Sequence, residues 1–68
     1  MENSYKVIID TNDVCHIMGK SQKAAWRYLK KIKHHYGKDP GHYVTVEEFC
    51  EYSGIAIELV HEYFRRGL

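Results

Sequence analysis

Asp10–Lys33, DTNDVCHIMGKSQKAAWRYLKKIK, decides how the chain is read. A short apolar pattern of Val14, Ile17 and Met18 stops at Gly19, and a second begins after Ser21 with Ala25, Leu29, Ile32 and Tyr36 at spacings of 4, 3 and 4. Both patterns have helical period, and Gly followed by Ser marks the stop of one helix and the start of the next. Two helices joined this closely cross steeply and share one small core. Ala25 suits the crossing because its lack of bulk allows close backbone approach. The outer face of the second helix, expected over about residues 21–36, is left free.

Upstream, Tyr5–Ile9 has the β-branched character of a short strand, and Met1–Ser4 reads as a loose terminus. Asp10, Thr11 and Asn12 are successive candidate N-caps for a first helix over about Asn12–Met18, and Ser21 caps the second. Gly37-Lys38-Asp39-Pro40-Gly41 is the turn-rich loop and holds the single proline. Beyond it, His42–Val46 is a second strand candidate, and Thr45 with Glu48 has capping-box spacing for a helix over about Val46–Tyr52. A last helix, from Ile55 or Ala56 to Arg65, is expected to bury Ile55, Leu59, Val60, Tyr63 and Phe64.

An offset of 35 residues lays Val14 on Phe49, Cys15 on Cys50, Gly19 on Gly54, Ala25 on Val60, Tyr28 on Tyr63 and Leu29 on Phe64. The expected fold is therefore mostly α. It has four short helices in two helix-turn-helix-like units, with a minimal two-stranded β element formed by side-by-side pairing of the strands. At 68 residues the chain makes one domain, residues 1–68, with a modest core.

The net charge of +1 conceals a strong segregation. Residues 1–19 sum to −2, residues 20–38 to +7 with no acid, and residues 39–68 to −4. One strongly basic helix in a nearly neutral protein suits a polyanion; the plainer alternative is a solvated helix face. In the second unit Glu58 and Glu62 stand where the first has Lys23 and Arg27. Phosphate would repel them, so only the first unit is a credible DNA reader.

Asp13-Val14-Cys15-His16-Ile17-Met18-Gly19-Lys20-Ser21-Gln22-Lys23-Ala24-Ala25-Trp26-Arg27-Tyr28-Leu29 resembles the helix-turn-helix of small bacterial excisionase and MerR-like DNA-binding proteins of winged-helix type. That pattern has an apolar helix closed by Gly, then a Ser-led recognition helix with an aromatic-Arg-aromatic-apolar run, here Trp26-Arg27-Tyr28-Leu29. Gly41–Phe49 is similar to the β wing and acidic-apolar helix start that follow. The resemblance implies groove contacts from Ser21, Gln22, Lys23 and Arg27. Lys20 stands where an apolar residue is usual, and His42 is what the wing offers where an arginine is usual.

On this reading Arg27, Lys30, Lys31 and Lys33 meet phosphates, while Gln22 and Lys23 reach base edges, Gln suiting adenine and Lys guanine. Trp26 is expected chiefly as a lid on the core edge, with a base or sugar contact as its functional alternative. The partner is double-stranded DNA, and a single weak module calls for a homodimer, adjacent copies, or a recombinase or transcription complex. The rival reading is a protein-interaction or dimerisation module in the acidic, aromatic C-terminal half, using Tyr52, Tyr63 and Phe64.

Other classes fit less well. Five His and two Cys raise the question of a metal, but Cys15-His16 and His34-His35 are adjacent pairs without zinc-ligand spacing. Reduced core thiols and surface imidazoles are expected, with no metal and no cofactor. No carboxylate pair, activated nucleophile or phosphate-cradling glycine loop suggests an enzyme. No apolar run approaches the ~20 residues of a membrane span, and MENSYK lacks signal-peptide character. A cytoplasmic protein is expected.

Overall fold

The computed structural model describes residues 6–66, in the order β1 (Ile8–Ile9), α1 (Thr11–Met18), α2 (Gln22–His35), β2 (Val44–Thr45), α3 (Val46–Ser53) and α4 (Ile57–Arg66). The fold is mostly α and winged-helix-like, as expected, with two helix-turn-helix units. β1 and β2 form one antiparallel pair, Ile8 opposite Thr45 and Ile9 opposite Val44. The expected loose end at Met1–Ser4, together with Tyr5, Gly67 and Leu68, lies outside the described residues.

Helices α1, α2 and α3 begin where their capping chemistry sits. Asp10 is the N-cap of α1, its carboxylate accepting from the Asp13 amide while the Asp13 carboxylate accepts from the Asp10 amide. Thr45 and Glu48 make the same reciprocal box at α3. Ser21 caps α2 through the Ala24 amide, 3.2 Å away. Such caps satisfy backbone donors that have no partner within the helix.

Helix ends are set by left-handed residues. Gly19, with φ 65°, lets the Lys20 amide fold back 3.2 Å onto the Cys15 carbonyl. At the end of α2, Gly37 and Lys38 donate to the His34 and Lys33 carbonyls, so the helix stops at His35 and Tyr36 becomes its cap.

The strands are shorter than expected. Asp10 leaves the ladder to cap α1, and His42 closes a turn onto the Asp39 carbonyl at 2.9 Å. The ladder gains one further bond, from the Val46 amide to the Val7 carbonyl at 2.8 Å.

The first helices of the two units, and the starts of the second, correspond to the residue. Displaced by 35, α1 falls on α3 over its whole length, Gln22 at the start of α2 falls on Ile57 at the start of α4, and one capping box falls on the other. Between them lies a single core of Ile9, Val14, Ala25, Leu29, Ile32, Val44, Val46, Phe49 and Val60. Tyr28 caps it, meeting Phe49 and Tyr52 edge-on at ring separations of 6.3 and 5.6 Å.

One core assignment is overturned. Leu59, expected inside, is 64% exposed, and Ile57 packs against the core in its place. The reason is the late start of α4. The Ile55 amide bonds the Ser53 hydroxyl, the helix begins at Ile57, and the inward stripe becomes Ile57, Val60 and Phe64, which turns Leu59 outward. No described helix is long and apolar enough to cross a membrane.

Candidate nucleic-acid interface

The inward stripe of α2, Ala25, Leu29 and Ile32, is buried against α1 and the second unit. With 3.6 residues per turn, Lys23, Arg27, Lys30 and His34 must then share the opposite face, with Lys31 beside them. All five are exposed. Among the described residues, Lys23, Arg27 and Lys31 make no ion pair or side-chain hydrogen bond.

The other cations of residues 20–38 are engaged. Lys20 lies over the Tyr28 ring at 5.6 Å, which explains how a lysine fills a position expected to be apolar: its stem packs and its charge rests on a π face. Lys30 lies 4.5 Å from the centre of the Trp26 ring but stays exposed. Lys33 is half-buried and donates to the Pro40 carbonyl at 2.9 Å, fastening the loop to the helix. Lys38 pairs with Glu48 at 3.1 Å. Partial burial works against ionisation of Glu48, but the Thr45 amide and Lys38 together hold its carboxyl below the ordinary range.

At the start of α2, Gln22 donates one amide proton to Asn12 on α1. Its carbonyl oxygen and second amide proton stay available, which is what bidentate reading of adenine requires. Ser21 accepts from Ala24 and retains its hydroxyl proton as a donor. His42 is exposed in the loop, 4.0 Å from the Asp39 carboxylate.

The structure thus brings Lys23, Arg27, Lys30, Lys31 and His34 together on one face with Ser21 and Gln22 at its leading end. Lys33 turns towards the loop. Trp26 is not the lid expected of it. It is 53% exposed on the loop side of α2, beside Lys33. Tyr43 was read only as part of a strand, yet it is 69% exposed and lines the same groove as Trp26. Alternation along His42–Val46 carried a faint signal of this, since buried Val44 turns its neighbour outward.

The acidic residues that could oppose a polyanion are mostly neutralised locally. Asp13, buried to 7% exposure, accepts from Lys6 at 2.9 Å and from the Asp10 amide, and Tyr63 of α4 reaches its other oxygen at 3.5 Å. The Asp13 hydrogen bond raises the Lys6 pKa. On α4, Arg65 and Arg66 both donate to Glu62 and lower its pKa.

Cys15 and Cys50 are free and pack against the core, where burial and then Glu58 push the Cys50 thiol pKa up. No group of three or more His, Cys, Asp or Glu among the described residues is placed to hold a metal ion. Comparison of the chain with protein-family models, curated proteins and solved structures gives no match.

Proposed function

We propose that this protein binds double-stranded DNA sequence-specifically through α2, as a small transcriptional regulator or an excisionase-like accessory factor working in the bacterial cytoplasm. The observation that carries the reading is the row of Lys23, Arg27 and Lys31 on one exposed helix face, with no carboxylate partner among the described residues. Cations held this way on a rigid element release counterions when they meet phosphates. That release sets affinity and its salt dependence.

Arg27, Lys30 and Lys31 supply the phosphate contacts. Ser21, Gln22 and Lys23, at the helix start, reach base edges and carry discrimination. With Arg27, Lys30 and Lys31 on phosphates, log K falls against log salt with a slope of about −3. One module of this size binds weakly, and a dimer or a larger recombinase or transcription complex supplies the remaining affinity.

Fluorescence anisotropy on duplex DNA across a salt series tests the reading. Binding that weakens with salt, and weakens further in Lys23→Ala and Arg27→Ala, supports it. Undetectable binding at low salt, or no change in those variants, overturns it.

A protein-interaction role for the C-terminal half is the second reading, favoured by the exposure of Leu59 beside Glu58. Its intended aromatic anchors are already occupied: Tyr52 packs on Tyr28 and His35, Tyr63 reaches Asp13 and His16, and Phe64 joins the core. A concentration-dependent dimer by light scattering with no response to DNA is its signature.

A further inference from the structure

Trp26 stands as a ridge between two concavities. On one side a groove is floored by buried Ile9, Leu29 and Val44 and walled by Trp26 and Tyr43, with Lys33 at its rim. On the other side Trp26 shares a concavity with Lys30, Lys33, His34 and Lys38. Both rings are more than half exposed, although each adjoins the core and could have been covered. An aromatic-walled slot on an apolar floor suits a flat, unsaturated ring, and the adjacent cations suit the phosphate attached to it.

We propose that the Trp26–Tyr43 groove takes a single unstacked nucleotide of a DNA strand, its base against the two rings and its phosphate beside Lys33. The inference rests on the DNA reading and extends it to a preference for DNA that is locally unpaired. A regular duplex keeps its base faces stacked and offers the groove only an edge. A bulge or a single strand presents a free face.

The polar groups around the groove are compatible with this ligand. Lys33 gives one of its three ammonium protons to Pro40 and keeps two. Asp10 also lines the groove; its carboxylate accepts from the Asp13 amide and from Lys6, 3.2 Å away, which Asp13 shares, so its charge is partly offset. Lys38 is held by Glu48 and is not required.

The chain has a single tryptophan, so its fluorescence reports this groove directly. The full chain is titrated with a perfect duplex, the same duplex with a one-nucleotide bulge, a short thymidine strand, and thymidine monophosphate. The expected result is quenching by the bulged duplex and the strand, with affinity for the bulge roughly ten-fold above that for the perfect duplex.

Tyr43→Ala, at an exposed position, abolishes that preference and leaves perfect-duplex binding within about two-fold, while Tyr43→Phe retains it. Equal affinity for bulged and perfect duplex, or a preference that survives Tyr43→Ala, overturns the proposal while the duplex reading stands. Quenching by the strand without binding to duplex overturns the duplex reading instead. Quenching by the monophosphate at the concentration effective for the strand overturns the assignment to a strand.

Discussion

Ile9 and Val44 face each other in the antiparallel ladder, and they are also the residues that the 35-residue offset superimposes. An antiparallel pair has a two-fold axis between its strands, so at this pair the local symmetry of the sheet coincides with the repeat of the chain. The two-fold of the ladder thus relates the strand of one helix-turn-helix unit to the strand of the other, the two units being joined by the loop of residues 37–43. The repeat is followed in caps, helix ends and core, and broken in surface charge.

The helix stops are the simplest place to test that equivalence. Gly19 and Gly54 adopt φ of 65° and 79°, and a Cβ at either would meet nothing within 4 Å. Alanine should therefore cost only the conformational energy of the left-handed region, about 1–2 kcal/mol, at both sites. Asparagine, which tolerates that region, should cost less at each. Urea denaturation of the four variants measures this, and a large difference between the two sites would count against equivalent roles.

Phe49 is fully buried at the centre of the shared core, in contact with Tyr28. Phe49→Ala should cost about 3–5 kcal/mol. A chain of 68 residues has only about 3–10 kcal/mol of total stability, so thermal melting should show a variant largely unfolded near room temperature.

Acid should weaken the junction between loop and second unit. The folded carboxyl of Glu48 titrates below its ordinary value of 4.5, so folding favours its ionised form. That stabilisation is fully present above the unfolded-state value and disappears as the pH falls through the lower folded one. Asp10 behaves in the same sense: burial, the largest single influence, raises its pKa, but the Asp13 amide and Lys6 together outweigh it. Denaturation curves from neutral pH down to about 3 should show falling stability, and Glu48→Gln should flatten part of that fall.

Lysines of the same helix should differ in their effect on DNA binding. Lys31 is exposed and without a partner among the described residues, whereas Lys33 is tied to Pro40. Lys31→Ala should reduce the salt slope by about 1 and leave stability nearly unchanged. Lys33→Ala should loosen the loop and lower the melting temperature, with a smaller change in slope. Anisotropy and melting measured on the same two variants separate the effects.

Leu59 distinguishes the second reading from the first. Being exposed, Leu59→Lys should change stability by no more than about 0.5 kcal/mol. Unchanged DNA binding and an unchanged sedimentation profile are expected if α2 carries function. Loss of a dimer in this variant would favour the interaction module.

The chain order of elements, the caps at Ser21 and Thr45, the glycine stops and the concentration of charge on α2 were all legible in the amino-acid sequence. They rest on local chemistry: a side-chain oxygen placed to accept a backbone amide, a residue that tolerates positive φ, and an apolar period that must face inward. The tertiary structure alone decided which of three adjacent polar residues caps α1, because the choice of Asp10 depends on where β1 leaves the ladder. It decided that Leu59 faces out, since Ile55 lies outside α4 and the inward stripe is set by Ile57, Val60 and Phe64, from whose centre Leu59 is turned by about 100° or more. It also separated the cations of residues 20–38, all equal in sequence, into those packed on Tyr28, Trp26, Pro40 and Glu48 and those left to solvent, and it set Tyr43 beside Trp26. Those outcomes depend on partners distant in sequence, and residue type and spacing do not encode them.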